Sequence, residues 1–85
     1  MSTSYNSALH NDIINIFQSG EKKRAYKKME QYLKTFPKDL TAIYNFGYIA
    51  NELNFIDIAI KNYQKVINSD KLSWRSRFNL FAIMA

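Results

Sequence analysis

The single histidine of this 85-residue chain, His10, stands two positions before Asp12, and this is the nearest approach in the sequence to an acid–base pair. Two residues apart on a helix, the side chains diverge by about 200°, so the carboxylate cannot hold the imidazole. Three further carboxylates, Asp39, Asp57 and Asp70, fall where helices begin or end, and capping accounts for them. The chain has no cysteine, which removes thiol chemistry and disulfides and leaves no zinc-type ligand set. It has two glycines and neither forms a phosphate loop. No nucleophile stands beside a base. The expectation is a protein that is not an enzyme and takes no cofactor or metal.

Charge is the next candidate. Residues 21–28 read EKKRAYKK, and residues 21–38 together carry seven Lys or Arg against two Glu, a net +5 that equals the excess of the whole chain. Residues 1–20 carry only Asp12, residues 39–70 are net −2, and residues 71–85 are net +3. Clustered cations can hold phosphates. On a helical wheel, however, Lys23, Lys27 and Lys34 lie together on the side opposite the apolar arc, without exposed aromatics on which bases could stack. Such a face is the solvated exterior of a helix, and nucleic acid is not the expected partner.

Recognition chemistry is better represented in residues 40–53. Tyr44, Tyr48 and Asn51 point away from the apolar arc of that segment, with Thr41 and Glu52 beside them. Tyrosine offers a large apolar surface with a polar tip, which suits the binding of another molecule.

Helices must position these residues. Apolar residues make up 47% of the chain and aromatics 15%, enough for a core in one domain, and two Gly with one Pro are too few for a sandwich or barrel. The 3.6-residue spacing predicts five helices. Residues 1–5 form a disordered start. The first helix, residues 6–18, carries Leu9, Ile13 and Ile16 at core spacing and ends at Gly20, which can take positive φ. In the second, residues 21–36, Ala25, Tyr26, Met29, Tyr32, Leu33 and Phe36 share an arc, and Pro37 stops it. Asp39 caps the third, residues 40–53, whose core arc is Ala42, Ile43, Phe46, Ile49, Ala50 and Leu53. Gly47 in its middle predicts a close helix crossing. Asn54 breaks the chain. The fourth helix, residues 55–68, gathers Phe55, Ile56, Ala59, Ile60, Tyr63, Val66 and Ile67, with Ile58 off the arc. Residues 69–73 turn, and a fifth helix, residues 74–85, is apolar on more than one side.

The two halves repeat. A step of 34 residues carries Ala25 onto Ala59, Met29 onto Tyr63, Leu33 onto Ile67, Leu9 onto Ile43 and Ile16 onto Ala50. In this register the sequence resembles the tetratricopeptide repeat family, whose unit follows W-x2-L-G-x2-Y, then A-x3-F, then P. Residues 40–73 give Ile43-x2-Phe46-Gly47-x2-Ala50 and Ala59-x3-Tyr63. Residues 6–39 give Leu9-x2-Asp12-Ile13-x2-Ile16, Ala25-x3-Met29 and Pro37. Trp74 opens a partial third unit or capping helix, residues 74–85. The sequence departs from the pattern at Asp12, where the family has leucine, and at Lys71, where it has proline.

The resemblance implies a short right-handed α-solenoid of antiparallel helix pairs, with the first helix of each pair lining a concave groove. It implies a protein-binding scaffold that holds a peptide or protein segment and does no chemistry. The implied groove positions are His10, Ile14 and Phe17, then Tyr44, Asn45, Tyr48 and Asn51, then Arg75 and Phe78. The carboxylate clamp of some family members is matched only by Asn45 and, approximately, by Arg75; His10, Ile14 and Asn79 depart from it, so a C-terminal carboxylate is not the expected ligand. An alternative implied by the family is the repeat segment of a larger glycosyl- or sulfo-transferase. Trp74, Phe78, Phe81 and Met84 are expected to support a homodimer that completes the stack. With no signal segment, no run of 18 apolar residues and no cysteine, the expected location is the cytoplasm, with no membrane contact.

Overall fold

The computed structural model describes residues 5–69 and Asn79. The described residues form four α-helices, α1 (Ser7–Gln18), α2 (Lys22–Thr35), α3 (Leu40–Glu52) and α4 (Ile56–Ser69). The fifth helix expected over residues 74–85 lies outside the described residues. Each boundary has a local cause. Asn6 Oδ1 accepts from the Leu9 amide and opens α1, and Asp39 Oδ1 accepts from the Ala42 amide and opens α3. The α2 helix ends before Pro37, with Phe36 as its C-cap.

The ends of α1 and α3 share one construction. Gly20 has φ +98, and the Gly20 and Glu21 amides donate to the Phe17 and Ile16 carbonyls. Asn54 has φ +65, and the Asn54 and Phe55 amides donate to the Asn51 and Ala50 carbonyls. Both are left-handed closures with the same pair of crossed hydrogen bonds, and they stand 34 residues apart.

Successive helices run antiparallel. The Asn6 amide, at the start of α1, donates to Tyr32 Oη near the end of α2 at 2.8 Å. Between α2 and α3, Lys22 meets Glu52 and Tyr26 stacks on Phe46 at 4.8 Å between ring centres. Between α3 and α4, Tyr44 meets Tyr63 at one end and Ala50 meets Ala59 at the other. A Cβ added at Gly47 would lie 3.0 Å from Tyr63 Cε1 and 3.2 Å from Asn62 Cβ, so the crossing expected from this glycine is present.

The core gathers Ile13, Ala25, Met29, Tyr32, Ala42, Phe46 and Ile49 between α1, α2 and α3, and Ala50, Ala59 and Tyr63 between α3 and α4. Several positions depart from the wheel, among them Asn62, which is polar yet only 6% exposed. Leu9, expected in the core, is 43% exposed in the first turn of α1, at the rim of a shallow cleft shared with Lys28, Gln31 and Thr35 of α2. Phe55 precedes α4 rather than lying on its arc, and is 40% exposed. Ile58, off the arc, is half-buried against both core groups because α4 borders each.

Candidate partner-binding face

Helices α1 and α3 lie side by side. Asn45 Nδ2 lies 3.0 Å from His10 Nε2, and the Phe17 and Tyr48 rings meet edge to face at 5.8 Å and 71°. Partners 35 and 31 positions apart, in the same order along both helices, make α1 and α3 parallel neighbours. Their shared face carries two cross-helix contacts, one polar and one aromatic. With the Asn45 amide donating, the imidazole holds its proton on Nδ1. The His10 ring also leans on Tyr32, 6.0 Å between centres.

The expected groove residues divide into several groups. His10, Phe17 and Asn45 are half-buried at the face, and Tyr48 is 42% exposed there. Ile14 is half-buried and packs against the core, which commits it to structure. Asn51 is half-buried, and its carbonyl receives the Asn54 amide. Tyr44, expected to be exposed, is half-buried: its ring lies 5.6 Å from Tyr63 and its hydroxyl accepts from Asn79 Nδ2 at 2.7 Å. It fills the space beside α4 instead of standing free. Arg75 and Phe78 lie outside the described residues, as do Trp74, Phe81 and Met84.

Asparagine also follows the repeat step. Asn11, Asn45 and Asn79 recur at the 34-residue step. Asn45 reaches back 35 positions to His10, and Asn79 reaches back the same distance to Tyr44. The recurrence is a sequence signal for this helix pairing, because a partly buried polar residue needs a polar neighbour.

A cleft of about 440 Å³ opens at the start of both helices, lined by Tyr5, Ser7, His10, Asn11, Asp39 and Thr41. Asp39 is already engaged. Its Oδ2 accepts from Tyr32 Oη at 2.6 Å and its Oδ1 caps α3. Burial, and then this hydrogen bond, hold the Tyr32 phenol above the usual tyrosine range. On α3 the one charged side chain, Glu52, is paired with Lys22 at 3.2 Å. On α1 the one charged side chain, Asp12, is exposed about 200° around the helix from His10. The shared face is therefore polar and aromatic with its charges internally matched.

The cations are elsewhere. Lys23, Lys27 and Lys34 are exposed on α2, and Arg24 pairs with Glu21 at 3.4 Å. An exposed aromatic does border this helix, against expectation: Phe55 stands edge-on to Tyr26 at 5.1 Å. It comes from the turn between α3 and α4, which the wheel of α2 could not include.

Among the described residues, no group of three or more His, Asp or Glu could hold a metal ion, and no helix is long and apolar enough to cross a membrane. No protein-family model matches the sequence, and no curated protein matches it.

Proposed function

We propose that this chain is a non-catalytic helical-repeat module of the tetratricopeptide type that holds a peptide or protein segment against the shared face of α1 and α3. The observation that carries the reading is the pair of cross-helix contacts, His10 with Asn45 and Phe17 with Tyr48, on two parallel helices one repeat step apart. Side chains that bridge neighbouring helices are already held in place, so less of this face has to be ordered when a ligand binds. The recurrence of the helix closure at Gly20 and Asn54 supports the repeat register, and the close crossing at Gly47 supports the small-residue pattern. The right-handed solenoid and the cytoplasmic scaffold role belong to this proposal.

The test is capture of partners from the source cell by the wild-type chain and by Tyr48→Ala in parallel. Tyr48 is exposed, so the substitution leaves the core intact. A partner retained by the wild type and lost by the variant supports the reading. A partner retained equally by both removes this face from the account. Replacing Tyr44 by alanine would be a poor test, because that ring packs on Tyr63. The transferase-segment reading rests on the resemblance alone and draws no support from a described residue. A homodimer through Trp74, Phe78, Phe81 and Met84 remains part of the proposal, and light scattering on the full chain tests it: a monomer at high concentration refutes it.

A further inference from the structure

Resting on that reading, we infer that the segment held by the α1–α3 face is uncharged and extended, and places one large apolar side chain two positions from one neutral hydrogen-bonding side chain. The two carboxylates nearest the face are satisfied internally, Asp39 by Tyr32 and the Ala42 amide and Glu52 by Lys22. Asp12 lies around the far side of α1, and the exposed lysines Lys23, Lys27 and Lys34 belong to α2. A charged ligand side chain brought to this face would lose hydration and find no counter-charge on α1 or α3.

From His10 to Phe17 is seven residues along α1, about 10.5 Å, and from Asn45 to Tyr48 is three residues along α3, about 4.5 Å. The midpoints of the two contacts are thus about 7.5 Å apart along the helices, within about 1 Å of the i to i+2 repeat of an extended chain. An extended chain rises about 3.3 Å per residue and turns alternate side chains to the same side, so residues i and i+2 fall at about 6.6 Å. One such residue sits on the Phe17–Tyr48 edge pair, where an aromatic or leucine side chain covers the exposed tyrosine ring. The other sits at His10 and Asn45, where the imidazole Nδ1–H and Asn45 Oδ1 are engaged by no described residue. A donor and an acceptor side by side match a side-chain amide or hydroxyl.

The experiment is selection of a random displayed peptide library on the immobilised full chain, with counter-screening on Tyr48→Ala. The expected winners lack Asp, Glu, Lys and Arg, carry an aromatic or leucine two positions from Asn, Gln, Ser or Thr, and bind Tyr48→Ala at least about tenfold more weakly. Their affinity should change less than about twofold between roughly 50 and 500 mM salt. Winners that depend on Tyr48 but are charged, salt-sensitive or free of the two-residue spacing overturn this inference and leave the binding face standing. Winners indifferent to Tyr48→Ala, or no enrichment over the bare support, overturn both.

Discussion

Gly20 and Asn54 stand 34 residues apart and close their helices identically, each in the left-handed region with two amides folded back onto the last turn. The difference between them is chemical. Glycine reaches positive φ without penalty, whereas asparagine carries a Cβ that opposes it. Asn54→Gly should therefore stabilise the chain by up to about 1 kcal/mol, and Gly20→Ala should destabilise it by about 1 kcal/mol although nothing lies within 4 Å of the added Cβ. Urea unfolding midpoints measure both. An unchanged midpoint for Gly20→Ala would show that this closure carries no strain.

Tyr32 joins three helices through one hydroxyl, which donates to Asp39 and accepts from the Asn6 amide. Tyr32→Phe leaves a carboxylate oxygen and an amide without their partner and should cost about 1–3 kcal/mol. Asp39→Ala loses the same bond and the α3 cap, so it should cost about 1 kcal/mol more. The double variant should cost less than the sum, because both single changes break one shared bond. Strict additivity in chemical denaturation would show that the two side chains act separately.

Gly47→Ala opposes two effects. A mid-helix alanine gains about 1 kcal/mol in helix propensity over glycine. The new Cβ, however, would stand 3.0 Å from a carbon of the Tyr63 ring, which is fully buried and cannot swing away. Overpacking of this kind costs about 1–3 kcal/mol, so the net change should be a loss. A thermal scan that shows a gain would mean that the α3–α4 crossing yields to the added methyl group.

Alkaline pH should weaken the fold through Tyr63. Burial raises its phenol pKa, and the neighbouring Tyr44 phenol adds to this. In the unfolded chain the phenol titrates near about pH 10. Above that point the unfolded state sheds a proton that the folded state keeps. The Tyr63 contribution is therefore complete below about pH 10 and is lost as pH climbs toward the folded value. The Tyr63 hydroxyl has no hydrogen-bond partner among the described residues, so Tyr63→Phe should change stability by less than about 1 kcal/mol at neutral pH and flatten the alkaline decline. An equally steep decline in the variant would assign it to other groups.

What the sequence disclosed was the chemistry carried by single residues. Gly20, Pro37, Asp39 and Gly47 each impose a local backbone or space requirement, and each met it where expected. What it hid was the neighbour. Leu9 and Tyr44 have the same wheel logic as Ile13 and Tyr48, yet Leu9 is left partly exposed at the rim of a cleft shared with α2. Tyr44 turns inward because Tyr63 and Asn79 are there to receive it. The Asn45–His10 contact belongs to two helices at once and appears on neither wheel alone.

The most direct test of the binding face is to titrate an isotope-labelled full chain with a captured partner or selected peptide and follow its amide resonances. The account predicts shifts concentrated at His10, Phe17, Asn45 and Tyr48, with the exposed residues Lys23, Lys27 and Lys34 of α2 unmoved. Shifts centred on those lysines, with the α1–α3 face silent, would contradict it.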